Sequence, residues 1–211
     1  MSARLDEELL VVVREVALDG PAARGEERVQ RLRVAALGAL SECAALRGAR
    51  LGSLAKDERD APRASNGWHW SISHSSLASL GLVVASVSRS PVGVDAESSA
   101  RRPRSGTEVA LSPAERALLR GLDDDAVFAR VWTAKEAVLK KLGLGLTALS
   151  EVRLEDATPD AAVLERGGER HPVEWRVHGP FVIAVSGRAR ERVDWRLPAA
   201  NADDARREAG S

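Results

Sequence analysis

Residues 131–141 read V-W-T-A-K-E-A-V-L-K-K. At about 100° per residue, Val127, Phe128, Val131, Trp132, Val138, Leu139 and Leu142 fall in one apolar stripe, as a core-facing helix requires. The acidic run Asp123-Asp124-Asp125 can cap the start of this helix, and Gly143 offers a left-handed stop. Lys135 falls inside the stripe. A lysine there either reaches out to water or meets a buried anion, because a dry, unpaired charge is costly. A phosphate or carboxylate partner is therefore expected beside it. Glu136 and Lys140, four residues apart at the border of the stripe, project together. By themselves they read as a surface ion pair.

Working outward, Leu111-Ser112-Pro113-Ala114-Glu115 has the form of a helix start, with Ser as N-cap, Pro at the first position, Glu at the third and Gly121 beyond the end. Capping alone explains Glu115. At residues 91–97, P-V-G-V-D-A-E alternates, so that Val92 and Val94 face one side while Asp95 and Glu97 share the other, with Cα atoms about 7 Å apart. Two carboxylates this close are either a solvated strand end or a pair bridged by a cation, and such oxygen ligands suit Mg2+. At residues 68–76, W-H-W-S-I-S-H-S-S predicts a strand with Trp70, Ile72 and His74 on one face and His69, Ser71 and Ser73 on the other, leaving the sheet in a polar turn. Ser73 and His74 there offer a hydroxyl, an imidazole and backbone N–H groups, a set suited to a phosphate but equally to a satisfied turn.

Residues 80–87 form a continuous apolar run, as in a strand buried on both faces. Leu5, Leu9, Val12, Val13 and Val16 have helical spacing and predict a helix over 4–18, although V-V-V would also suit a strand. After a turn at Asp19-Gly20-Pro21, residues 25–46 predict a long amphipathic helix with Val29, Leu32, Ala36, Leu40, Cys43 and Leu46 on one stripe. Residues 47–67 read as a loop whose K-D-E-R-D-A-P-R segment is a charged surface or a phosphate-contacting edge, and residues 98–107 read as a basic loop. Strands are predicted at 152–154, 162–166, 172–177, 181–185 and 193–197, with Gly167-Gly168 as a hairpin turn and a polar tail from Ala199.

With 211 residues, 44% of them hydrophobic, the chain can bury a sizeable core. Thirty-one basic residues balance thirty-one acidic ones, so no global field favours nucleic acid or an anionic membrane. The single cysteine, Cys43, excludes an intramolecular disulfide, fits a reducing compartment and reads as an inert core thiol. No apolar run approaches the roughly 18 residues of a membrane span, and a cytoplasmic protein is expected. Residues 70–87 and 173–185 share a strand–turn–strand rhythm. Together these features predict an α+β fold of two pseudo-symmetric halves, 1–108 and 109–198, followed by a polar tail at 199–211. Each half is expected to be a small antiparallel sheet packed with helices, with the active site in the cleft between them.

V-G-V-D-A-E at 92–97 followed by W-T-A-K-E-A-V-L-K at 132–140 resembles the signature of the 4′-phosphopantetheinyl transferases. S-I-S-H-S at 71–75, L-S-P-A-E at 111–115 and F-V-I-A-V-S at 181–186 fit the same family, in its larger, monomeric class of two similar halves. The family's Gly-Lys-Pro segment stands here as R-D-A-P around Pro62, without its glycine and lysine. The resemblance implies a monomer that transfers phosphopantetheine from coenzyme A to a serine of an apo acyl or peptidyl carrier protein, releasing adenosine 3′,5′-bisphosphate. It implies Asp95, Glu97 and Glu136 as ligands of Mg2+, and Lys135 and Lys140 as contacts of the pyrophosphate, with Lys140 steadying or protonating the leaving phosphate. It further implies Ser73, His74 and, from the early helix, Arg31 and Arg33 at coenzyme A phosphates, and Glu136 as the base for the carrier serine. Two other readings stand beside it. A Mg2+-dependent phosphoesterase would use the same carboxylates on water but calls for a histidine base near the metal. A non-catalytic domain that binds a carrier or a nucleotide would be signalled by loss of Asp95 or Glu136, and both are present.

Overall fold

A computed structural model describes residues 8–18, 25–58, 60–100, 111–120, 122, 126–188 and 192–198. The turn at Asp19-Gly20-Pro21, the basic loop from residue 101, Gly121, the Asp123-Asp124-Asp125 cap and the tail from Ala199 lie outside the described residues. Nine strands and three α-helices follow in the order β1 (Glu8–Ala17), α1 (Glu26–Leu46), β2 (His69–Leu77), β3 (Leu80–Ser88), β4 (Gly93–Ser98), α2 (Pro113–Leu118), α3 (Val127–Leu142), β5 (Arg153–Ala157), β6 (Ala161–Arg166), β7 (Glu169–His178), β8 (Phe181–Ser186) and β9 (Arg192–Arg196) among the described residues, with a 3-10 helix at Leu146–Glu151 between α3 and β5. The fold is α+β, with one sheet ordered β2-β3-β1-β9 and another ordered β4-β8-β7-β6-β5.

The sheets pack face to face through Leu9, Val11, Val13, Leu82 and Val84 of the first against Val94, Ala96, Phe181, Ile183 and Val185 of the second. The far face of the first sheet is covered by α1, through Leu32, Ala36, Leu40 and Cys43 on Leu10, Val12, Val83 and Val87. The far face of the second is covered by α3, whose Val131, Trp132, Val138 and Leu139 meet Leu164, Val173, Trp175 and Ala184. The layers therefore run helix, sheet, sheet, helix. The apolar stripe expected on α3 is the one that is buried.

Residues 8–17 form a strand and not the expected helix. β1 lies between β3 and β9 with both faces covered, so every position from Leu9 to Val13 is apolar and the alternation that marks a strand is missing. Four β-branched valines then favour the extended chain. The first sheet is not wholly antiparallel either, because β9 runs parallel to β1. The sheets also exchange strands across the expected boundary at residue 108, since β4 pairs with β8 and β9 pairs with β1.

The hairpins β2–β3 and β7–β8 share the expected rhythm. Each turns over two residues, with Ala78 at φ 50° and Gly179 at φ 52° in the first turn position, as tight hairpin turns require. Gly167 and Gly168 close β6–β7 at φ 62° and 86°. β2 does not leave the sheet after His74; it continues to Leu77, paired with β3 throughout.

Candidate active site

The backbone of α3 stops at Gly143, which takes φ 66° and ψ 33° while its N–H and that of Leu144 close on the carbonyls of Lys140 and Leu139. This fixes the last turn, which carries Lys140. The same turn lies directly on β4. A Cβ on Gly93 would run into the backbone of Ala137 and Lys141, so only glycine lets helix and strand approach this closely. Two residues along the strand, Asp95 points to the same face as its cross-strand neighbour Ala184 and meets the helix.

Here the Lys140 ammonium donates to Asp95 Oδ1 at 2.6 Å and to Ser73 Oγ at 3.1 Å, and stands 3.9 Å from Glu136 Oε2. Ser73 Oγ itself donates to Asp95 Oδ1 at 2.7 Å. The Asp95 side chain is 5% exposed, Glu136 18% and Lys140 27%. Burial pulls the Lys140 pKa down, but Asp95, Glu136 and Glu97 outweigh it and hold the ammonium above the ordinary lysine value. Three chain segments, β2, β4 and α3, thus converge on one charged cluster. It borders a cavity of about 350 Å³ lined by Lys56, Asp60, Pro62, Ile72, Glu136 and Leu144 among others.

β2 reaches this cluster through its odd-numbered serines. Among the described residues the β4 edge that faces away from β8 has no ladder partner, and hydroxyls take the ladder's place. Val94 N–H donates to Ser71 Oγ at 3.0 Å, Ser98 N–H donates to Ser75 Oγ at 3.1 Å, and Ser75 Oγ donates to Glu97 Oε1 at 2.8 Å. The S-I-S-H-S alternation is therefore the seam between the two sheets. Ser73 belongs to that seam, and its hydroxyl is engaged with Asp95 and Lys140. His74 points the other way; its imidazole is held below its usual pKa by burial, then by the charges of Lys140 and Arg33. Arg31 turns back one helical turn to Glu27 at 2.9 Å, so of the two arginines it is Arg33 whose charge reaches His74.

Lys135 has a partner inside the chain. Its ammonium lies 2.7 Å from Glu115 Oε1, and both side chains are 7% exposed. This carboxylate is a buried anion of the kind the sequence called for, held by α2. Glu115 completes the expected capping box with Ser112 and also accepts from Leu154 N–H at 3.2 Å, tying α2, α3 and β5 together. Burial raises the Glu115 pKa, but the Lys135, Ser112 and Leu154 hydrogen bonds more than reverse this and hold the carboxyl below its usual value. Sequence reasoning saw only the cap, because nothing local pairs residues 115 and 135.

Cys43 is fully buried and its thiol is pushed up to about 12 by burial, as expected of an inert core residue. Lys56 was legible only as part of a charged loop. An isolated bridge between Lys56 and Pro62 folds that loop into a wall of the cavity.

Asp95, Glu97 and Glu136 offer hard oxygen donors of the kind Mg2+ prefers. As arranged, they do not form a metal site: among the described residues no three Asp, Glu, His or Cys side chains gather closely enough to share an ion. The Lys140 ammonium stands between Asp95 and Glu136.

No helix among the described residues is long and apolar enough to cross a membrane. A family model described as the 4′-phosphopantetheinyl transferase superfamily matches residues 91–186, from the start of β4 through β8, and so takes in Asp95, Glu97, Glu115, Lys135, Glu136 and Lys140 but not β2. No curated protein matches the chain.

Proposed function

The chain belongs to the 4′-phosphopantetheinyl transferase superfamily, and on that premise we propose that it moves the 4′-phosphopantetheine group of coenzyme A to a serine of an apo acyl or peptidyl carrier protein, acting as a monomer in the cytoplasm. The observation that carries the reading is the convergence of Ser73, Asp95, Glu136 and Lys140, from segments far apart in the chain, beside a cavity whose wall Glu136 and Lys140 help to form.

The reaction breaks the bond between the two phosphorus centres' bridging oxygen and the phosphoryl group that carries pantetheine, and forms a phosphodiester with the serine hydroxyl. The residues needed are a base for that hydroxyl, cations for the pyrophosphate and walls that hold it in line. Glu136, which lines the cavity and is partly exposed, would take the serine proton. Lys140 lies beside it on a flexible stem and would carry its charge to the leaving phosphate. Asp95 holds that ammonium in position beforehand, and Ser73 orients the Asp95 carboxylate. His74 with Arg33, and Lys56 from the cavity lining, would supply further cationic or hydrogen-bonding groups for coenzyme A phosphates. Asp95, Glu97 and Glu136 are the oxygen donors proposed for Mg2+, which when bound neutralises charge on the pyrophosphate. A cavity lined by Lys56, Pro62 and Ile72 together with Glu136 and Lys140 of α3 supports the reading of a cleft there.

Incubation with coenzyme A, Mg2+ and a panel of apo carrier proteins, read by intact carrier mass, tests the reading. The expected result is a gain of one phosphopantetheine that a chelator abolishes and that Asp95→Asn reduces by about a hundredfold or more, in keeping with loss of a buried electrostatic anchor. Absence of any gain across the panel while coenzyme A still binds would refute transfer.

A further inference from the structure

Two of the three carboxylates named as oxygen donors for a divalent ion flank the Lys140 ammonium, Asp95 Oδ1 at 2.6 Å and Glu136 Oε2 at 3.9 Å. The contact with Asp95 is direct, since the ammonium and Ser73 Oγ both lie on the single oxygen Oδ1, at 2.6 and 2.7 Å. A magnesium ion binds a carboxylate oxygen at about 2.1 Å and demands near-octahedral geometry around itself. An ammonium on that same oxygen, reaching toward Glu136, fills the space through which such an ion would have to be shared. Two cations a few ångströms apart in a site this buried repel strongly.

We propose, resting on the transferase reading above, that Lys140 is the resident counter-cation of this acidic centre: its ammonium and a divalent metal compete for Asp95, so the metal binds well only when the phosphates of the co-substrate draw Lys140 away. The geometry allows the exchange. Lys140 sits on the last turn of α3, its side chain is 27% exposed, and it lines the cavity in which a pyrophosphate would lie. A four-carbon stem can swing from Asp95 into that cavity with the backbone fixed by Gly143. One side chain would then do two things in sequence, neutralising the acids in the free protein and the leaving phosphate in the loaded one. The order of loading follows, with coenzyme A and metal entering together and metal alone binding weakly. Reciprocity requires that each raise the affinity of the other.

The test uses the full chain without coenzyme A and titrates Mn2+, reading the free-ion signal by electron paramagnetic resonance. Lys140→Met and Lys140→Gln are each expected to bind Mn2+ about tenfold more tightly than the wild type or better, as removal of a close like charge predicts. Lys140→Arg, which keeps the cation, is expected to stay near the wild type. Equal or weaker Mn2+ binding by folded Lys140→Met and Lys140→Gln would overturn the proposal, and the cooperative thermal transition of each variant shows whether it is folded. The two readings fail separately. Tighter Mn2+ binding by the variants with no carrier modification by the wild type leaves the competition standing and removes the transferase assignment; carrier modification with unchanged Mn2+ affinity does the reverse.

Discussion

Asp95 and Glu115 are both buried carboxylates that face a lysine of α3, yet they do different work. Asp95 shares its oxygen with a hydroxyl and with an ammonium that is about a quarter exposed, at the edge of a cavity. Glu115 is buried and held by Lys135, Ser112 N–H and Leu154 N–H. The first pair can rearrange, and the second is part of the scaffold. Because the Glu115 pKa lies below its unfolded value, its ionised form stabilises the fold above the unfolded carboxylate pKa, and that contribution disappears as pH falls through the depressed folded value. Glu115→Gln is expected to destabilise the protein by about 3 kcal/mol near neutrality, since it leaves Lys135 buried without its counter-charge. In urea unfolding at a series of pH values, the gap between variant and wild type should narrow as the pH drops below about 4. A gap that stayed constant down to the acid limit would contradict the ionised pair.

Among the elements, α3 was legible because a 3.6-residue stripe, a terminal glycine and an interrupting lysine all lie within one short window. The β6–β7 hairpin was legible from two adjacent glycines. β1 was not, because a central strand buried on both faces carries no alternation to read. The serine seam was half legible. The alternation of residues 71–75 showed which side chains share a face, but not that this face closes on the edge of β4. The contact between α3 and β4 depends on one missing methyl group. Gly93→Ala must lift the helix from the strand, which is expected to cost about 3 kcal/mol as an overpacked contact and to separate Lys140 from Asp95. Urea unfolding together with carrier modification, measured below the variant's own melting point, checks this. A variant that lost stability but kept full turnover would show that the spacing of helix and strand does not set the site.

At the scale of the whole molecule, the exchange of β4 and β9 means that each sheet contains strands from both sides of residue 108. Pairing between residues 8–12 and 192–196 has no local signature, which is why an assignment of halves by sequence position could not show it. Residues 1–108 and 109–211, expressed separately, are expected not to unfold cooperatively. The intact chain should unfold in one transition in which circular dichroism and tryptophan fluorescence coincide, since Trp68 and Trp70 report one core and Trp132 and Trp175 the other. Two resolved transitions would argue for independent units. The seam of Ser71, Ser73 and Ser75 has one more consequence, for the behaviour of the protein in a crowded solution. β2 and β4 are both terminal strands of their sheets, and an unpaired strand edge invites pairing with a neighbouring molecule. Here the two edges shield one another through side-chain hydroxyls, and the remaining outer strands carry Arg153, Glu155 and Asp156 on β5 and Arg192, Asp194 and Arg196 on β9. The serines that shape the charged centre thus also keep these two edges from pairing with a neighbouring molecule.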